Sequence, residues 1–463
     1  MFETKVYCKR RETLAARMQK LIDTPAKGIV LMTGNVDAPA QYKDNCYKFR
    51  QDSSWLYYFG IDEPRWAATM DLDSGETVIY ADDYSLDDII WTGPMASVSE
   101  LSALVGVHKT APYEAFKAVV GEALSSGRRV HTLPPSRWYN TLLLQDLGIR
   151  EASKELIHAV ISIRLVKEEE EIALLDAACD LGIQMHTIAR DAIATGVVEQ
   201  DIVGKMEGYA LAKGWGVSFA TILTQHGEIF HCHSHDATIE EGRLLVIDAG
   251  VESGEHYASD FTRTYPTGGR FTPKQRDIYQ IVYECNELAF SLTKPGTAYR
   301  DVHLAVAARM LEGLKAVGLV HGNVDDMVRE GVAGLFMPHG LGHNMGLDVH
   351  DMEDLGEDLV GYDEDQKRAS QLGLGSLRMA RKLVEGNVIT DEPGIYFIPD
   401  LIRKWHSEGK GAEWIDFDAL EAYYDFGGIR LEDDVLVTPQ GARRLGHSRL
   451  PIAPDDVEKA MNK

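Results

Sequence analysis

Residues 244–264 read LLVIDAGVESGEHYASDFTRT. An apolar run ends in Asp248, Ala249 and Gly250, a polar turn follows, and Asp260 then leads a second strand-like stretch. The pattern predicts a hairpin with one aspartate near the end of each strand. A buried carboxylate without a partner is costly, so two that converge share a proton or hold a cation. Taken alone, the segment also fits two surface aspartates beside a turn.

Three later segments carry matching chemistry. Residues 337–351, MPHGLGHNMGLDVHD, hold His339, His343 and His350 in a stretch too rich in Gly and Pro to be plain helix. Histidine is the commonest transition-metal ligand and a donor to a developing oxyanion. Residues 388–398, VITDEPGIYFI, run as a β-branched strand into Glu392, after which Pro393 and Gly394 turn the chain. Residues 427–438, GGIRLEDDVLVT, set Glu432 inside an apolar alternation of Ile429, Leu431, Val435 and Val437. Either glutamate by itself could point to solvent. Together the four segments supply two aspartates, a histidine and two glutamates in that chain order, each within or at the end of a predicted strand. So oxygen-rich a set suits a pair of divalent ions such as Mn2+ better than one tetrahedral zinc.

The remainder frames that set. The 463 residues, 44% hydrophobic and 26% charged, suffice for two or three domains of ordinary globular composition. Residues 1–160 alternate strand-like and helix-like stretches and are read as an α/β domain. There, 28–34 is predicted as a buried strand, 67–72 and 76–81 as a hairpin, and 110–121 and 140–147 as helices. Residues 161–463 are read as an α+β domain. A long helix is expected from Lys167, with Glu168–Glu171 at the positive end of its dipole and Ile172, Leu175, Cys179 and Ile183 as its apolar stripe. Further helices are expected over 273–293, over 299–317 and from Pro454, and a polar, acidic excursion between two strands over 354–382.

The net charge of −25, from 47 basic and 72 acidic residues, argues against nucleic-acid or anionic-membrane binding, which need a basic footprint. The five cysteines are scattered and form no CxxC pair, which argues against a disulfide framework or structural zinc module. No run approaches the ~18 apolar residues of a membrane span. The first residues lack the apolar core of a signal peptide, so a cytoplasmic location is expected.

The four segments resemble the pita-bread metallopeptidases: prolidase, aminopeptidase P and methionine aminopeptidase. The resemblance implies metal ligands at Asp248, Asp260, His343, Glu392 and Glu432, with Asp260 and Glu432 bridging two ions. It places His339 and His350 around the ligand histidine, and His231, in IFHCHSH, at a substrate-contacting position. Tyr396 and Arg430 fall where the motif supports the bridging glutamate. The accessory half resembles the family too, through FRQDSSWLYYFGIDEP at 49–64 and Trp91 to Gly93, a domain that methionine aminopeptidase lacks. The stretch LGSLRMARKLVEGNVITDE, 374–392, is closest to prolidase, and Arg378 matches the arginine that holds a dipeptide's free carboxylate. Three departures stand out. The Asp248–Asp260 turn is one residue longer than usual, so a bulge is expected to restore the facing of Asp260. Asp391 replaces an apolar residue beside Glu392, and strand alternation points it away from the metals. The insert between His343 and Glu392 is long.

The resemblance implies a two-metal peptidase cleaving Xaa–Pro bonds, foremost of dipeptides, with an Xaa-Pro aminopeptidase acting on longer peptides as the alternative and a non-catalytic peptidase-like binding module as a distant one. Glu392 is the expected proton shuttle, His350 the oxyanion donor, and His231 and Arg378 position the substrate ends. A homodimer is expected. A separate metal site at His231, His233 and His235 is the lesser reading of HCHSH, because one short strand seldom supplies a full ligand set.

Overall fold

The aspartate-bearing hairpin forms as the alternation predicts. Leu244–Ala249 pairs antiparallel with Phe261–Pro266, with Asp248 opposite Thr262 and Ala249 opposite Phe261. Every residue of both strands is buried. Ile222–Thr224 pairs with the other edge of Leu244–Ala249. The register continues unchanged to the Glu252–Ala258 bridge. Gly250 therefore faces Asp260, and the period of two sets Asp248, Asp260 and Thr262 on one face. This corrects the expected bulge: the aspartates are an even number of residues apart, so facing is kept without an inserted residue. The extra length sits at the tip, where the Ser253 N–H donates to the Tyr257 carbonyl at 2.9 Å and His256 adopts φ 68°. Glycine at 250 is required by the close approach of the strands: a Cβ there would lie 1.7 Å from the Ser259 carbonyl oxygen.

The computed structural model describes residues 1–462, and the chain divides into Met1–Arg164 and Leu165–Lys463. The boundary read at 160 falls inside the helix Lys154–Arg164, whose apolar face keeps it with the first unit. That unit holds a mixed five-stranded sheet in the order Thr110–Ala111, Thr77–Tyr80, Ala67–Asp71, Ile29–Thr33, Val130–His131. Its core includes Ile29, Leu31, Val78, Phe116 and Leu143. The helix expected over 110–121 is corrected at its start: Thr110–Ala111 joins the sheet edge, Pro112 follows, and the helix spans Ala115–Ser125.

The second unit surrounds four small antiparallel sheets with long helices. Glu169–Ala192 starts at a capping box in which Glu168 and Glu171 satisfy each other's end of the helix. Pro273–Leu292 starts at Thr272 with proline in the first turn. Tyr299–Ala316 packs beside it, and Ile278, Val282, Val302 and Val306 join Leu245, Ile247, Ile429 and Val435 in one core. Val388–Asp391 pairs with Asp433–Thr438, and Gly394–Tyr396 pairs with Gly428–Arg430. Two single bridges, Thr262 to Glu432 and Asn344 to Ile389, tie these sheets to the hairpin and to the histidine segment. The acidic excursion is not framed by two strands. The histidine segment before it is a loop, and it contains only short turns, Glu353–Leu355, Glu357–Gly361 and Leu374–Ser376, before Val388–Asp391 begins.

Candidate metal centre

Each acidic side chain reaches the centre because a backbone pairing delivers it there. Asp248 lies within its strand, and Asp260 sits just before Phe261–Pro266. Glu432 lies between two strands, and its N–H donates to the Thr262 carbonyl at 3.0 Å. Glu392 follows Val388–Asp391, its N–H held by the Leu341 carbonyl at 2.9 Å. His343 is in a loop rather than a strand. Thr390 fixes it from both sides, donating N–H to the His343 carbonyl at 3.0 Å and accepting the His343 N–H on Oγ1 at 3.1 Å.

One cavity of about 710 Å³ is lined by Asp248, Asp260, His343, Glu392 and Glu432 together. Within it, ligand atoms of Asp260, His343 and Glu432 all lie within 4.8 Å of one another. The His343 Nδ1 faces the Asn344 carbonyl at 3.1 Å, which commits the ring proton to Nδ1. Nε2 is then a bare lone pair, yet it sits 3.4 Å from Asp260 Oδ2. Two acceptors so placed need a cation or a proton between them. Asp260 Oδ1 is buried with no hydrogen-bond partner. Burial, then the Glu432 and Asp248 charges, push the Asp260 carboxyl well above its usual range. Burial, then Glu392 and Asp248, do the same to Glu432. Burial likewise drives the His343 imidazole well down, so it stays neutral. A neutral imidazole among buried, mutually repelling carboxylates is a donor set that fits divalent cations.

Surrounding side chains hold this set in place. Arg430 Nη2 pairs with Asp248 Oδ2 at 2.5 Å and Nη1 donates to Tyr396 Oη at 2.8 Å. Tyr396 Oη meets His339 Nε2 at 2.8 Å. The expected support of Glu432 by Tyr396 and Arg430 is therefore corrected. Arg430 is tied to Asp248 and reaches Glu432 by hydrogen bonds through Thr262, which accepts from Arg430 Nε at 3.3 Å and donates its hydroxyl to Glu432 Oε2 at 2.6 Å. His350 stacks face to face on His343, centroids 3.7 Å apart. His231 lines the cavity, and Phe230 beside it packs on Tyr396. HCHSH is not a strand: His231 and His233 rings stand 6.4 Å apart, while His235 turns away to the Leu223 carbonyl. Asp391 is buried and does not line the cavity.

Arg378 lines the same wall, as do Glu357 and Arg368. It lies outside any helix, and its Nη1 pairs with Glu353 and, at 3.2 Å, with Glu357. Glu353, Glu357 and Arg368 were not legible as site residues. Glu357 and Arg368 lie in the acidic excursion and Glu353 immediately precedes it, and loop sequence carries no periodicity that says where a side chain will point.

The fold and donor set define a divalent-cation centre on the strands of an α+β unit. Residues 173–439 match the model of metallopeptidase family M24, and residues 7–131 match that of the aminopeptidase P N-terminal domain. The chain belongs to metallopeptidase family M24, with the two-domain build of the pita-bread aminopeptidases P. Membership implies divalent metal ions. The chain is similar to human Xaa-Pro dipeptidase, 28% identical with 98% of this chain and 93% of that one covered. It is also 28% identical to a probable Xaa-Pro aminopeptidase of Uncinocarpus reesii, with 98% and 94% covered. Aminopeptidase PepP of Pseudomonas aeruginosa has a similar structure, with a TM-score of 0.81 at 25% identity over 100% of this chain and 98% of that one.

Proposed function

We propose that this metallopeptidase is an exopeptidase that hydrolyses the bond between an N-terminal residue and a following proline, foremost in dipeptides, with two Mn2+ ions. The observation that carries this reading is the convergence of Asp248, Asp260, His343, Glu392 and Glu432 on one cavity whose wall also bears Arg378. Those five residues would hold the ions. When bound, the metal ions supply an activated water at neutral pH and a Lewis acid for the scissile carbonyl.

The protein's own groups do the rest. Glu392 accepts the proton of the attacking water on its carboxylate and returns it to the leaving proline nitrogen, which has no N–H in the substrate. His350 Nε2, without a protein partner among the described residues, steadies the developing oxyanion. Arg430 holds Asp248 against drift. Arg378, with a side chain 40% exposed, keeps Nε and Nη2 open for a dipeptide's carboxylate. His231 contributes to the other end of the pocket. The expected homodimer belongs to the same reading and is supported by the family resemblance alone, and the proposed cytoplasmic location by the absence of a signal-peptide core in the first residues.

A second reading, an aminopeptidase acting on longer peptides, is favoured by the acids Glu353 and Glu357 beside Arg378, which weaken its pull on a free carboxylate. Hydrolysis of Ala-Pro and Ala-Pro-Ala by metal-stripped protein, with and without Mn2+, separates the two. Manganese-dependent cleavage of Ala-Pro in preference to Ala-Pro-Ala is expected. A preference for the tripeptide selects the aminopeptidase, and cleavage of neither rejects a peptidase.

A further inference from the structure

Immediately before the acidic excursion, Glu353 sends one carboxylate to two different substrate-facing groups. Glu353 Oε1 meets His350 Nδ1 at 2.9 Å, and Glu353 Oε2 pairs with Arg378 Nη1. The glutamate itself is largely withdrawn, its side chain 17% exposed. It is absent from the cavity lining, whereas His350 and Arg378 are both in it. A carboxylate can only accept, so its contact fixes a proton on His350 Nδ1 and turns the other ring nitrogen toward the cavity. Its second oxygen anchors one end of a guanidinium fork and leaves the opposite side of the fork free.

We propose that Glu353 is a positioning residue that sets His350 and Arg378 at one mutual spacing, matched to an Xaa-Pro substrate whose scissile carbonyl faces the first and whose terminal carboxylate faces the second. The inference rests on the dipeptide reading of the site. Arg378 would otherwise be a long side chain free over several rotamers, and a tether removes that freedom before the substrate arrives. Glu357 shares the tether at 3.2 Å and is itself paired with Arg368. It therefore cannot replace Glu353: Glu357 reaches Arg378, whereas the hydrogen bond to His350 Nδ1 comes from Glu353.

The test is Glu353→Gln, which keeps shape and removes the charge. With Mn2+-loaded enzyme, kcat is expected to fall roughly tenfold on both Ala-Pro and Ala-Pro amide, through His350. KM is expected to rise about fivefold for Ala-Pro and to stay unchanged for the amide, through Arg378. Calorimetry on metal-stripped protein, where nothing is turned over, should show Ala-Pro binding weakened by the same factor and amide binding unaltered. An unchanged kcat overturns the proposal. So does tighter Ala-Pro binding, which would make Glu353 a repelling group. An equal loss on acid and amide accompanied by a lowered Tm overturns it as well, since that marks a merely structural role. If the parent protein cleaves neither compound, the peptidase reading fails, while the calorimetry still decides the role of Glu353.

Discussion

Asp260 and Glu432 are buried beside Asp248 and Glu392, and burial together with the neighbouring charges raises the proton affinity of both Asp260 and Glu432. Asp260→Asn removes one member of that set. In metal-stripped protein the variant is expected to melt higher than the parent, at roughly 1–2 °C per kcal/mol for a chain of this size, because less repulsion is enclosed. Added Mn2+ should raise the Tm of the parent and leave that of the variant nearly unmoved. Differential scanning calorimetry checks both, and a metal-free variant that melts lower than the parent contradicts the account. At this scale much of the centre was legible. Asp248, Asp260, Glu392 and Glu432 stood out only as a set and through the family resemblance, since each taken alone could have pointed to solvent. The partner of Arg430 was not legible, since Asp248 lies 182 residues away and only the folded chain shows which acid it meets.

Elements with local signals were read close to where they lie. The helix Pro273–Leu292 begins at Thr272-Pro273 and the hairpin Ala67–Asp71 with Thr77–Tyr80 turns at Gly75, because caps and turns are local chemistry. Thr110–Ala111 was missed because a two-residue edge strand is chosen by its neighbour Thr77–Tyr80, not by its own pattern. The Asp248–Asp260 hairpin was read correctly as an element and wrongly in its detail, since register depends on parity across the turn. That register makes Gly250 the element's weakest point for substitution. Gly250→Ala places a methyl group 1.7 Å from the Ser259 carbonyl, which the strands can relieve only by parting. A loss of about 3 kcal/mol or more is expected in urea unfolding, together with loss of Mn2+ binding. A variant as stable as the parent would mean that the pairing at Gly250 and Ser259 is not the one described.

Across the whole molecule, acid sensitivity should come in part from a buried histidine that is not itself a proposed metal ligand. His303 is enclosed in the helix Tyr299–Ala316, its Nδ1 has no partner, and burial lowers its pKa to about 4. An unfolded histidine titrates near ~6.5. Between those values the unfolded chain binds the proton and the folded one does not. The stabilisation is therefore complete above pH ~6.5 and is lost as pH falls toward 4, by up to about 3 kcal/mol. His303→Leu should reduce the slope of unfolding free energy against pH by up to one proton across that window, read from urea titrations at several pH values. An unchanged slope would mean that His303 already carries its proton when folded. The two-unit division and the class of each unit were legible from alternating and helical periods. The wall formed by residues 353–378 was not, because a long irregular segment is placed by tertiary contacts alone.

The pairings that build the centre join distant parts of the chain: Asp248 with Arg430 across 182 residues, and Thr262 with Glu432 across 170. Closing loops of that length is slow, and their entropy must be spent before any contact at their ends can form. The full donor set is therefore expected to assemble only late in folding, so a cation should have little part in nucleation. It arrives as a latch on a finished molecule. Its affinity is spent almost entirely on slowing the escape from the native state rather than on hastening the approach to it.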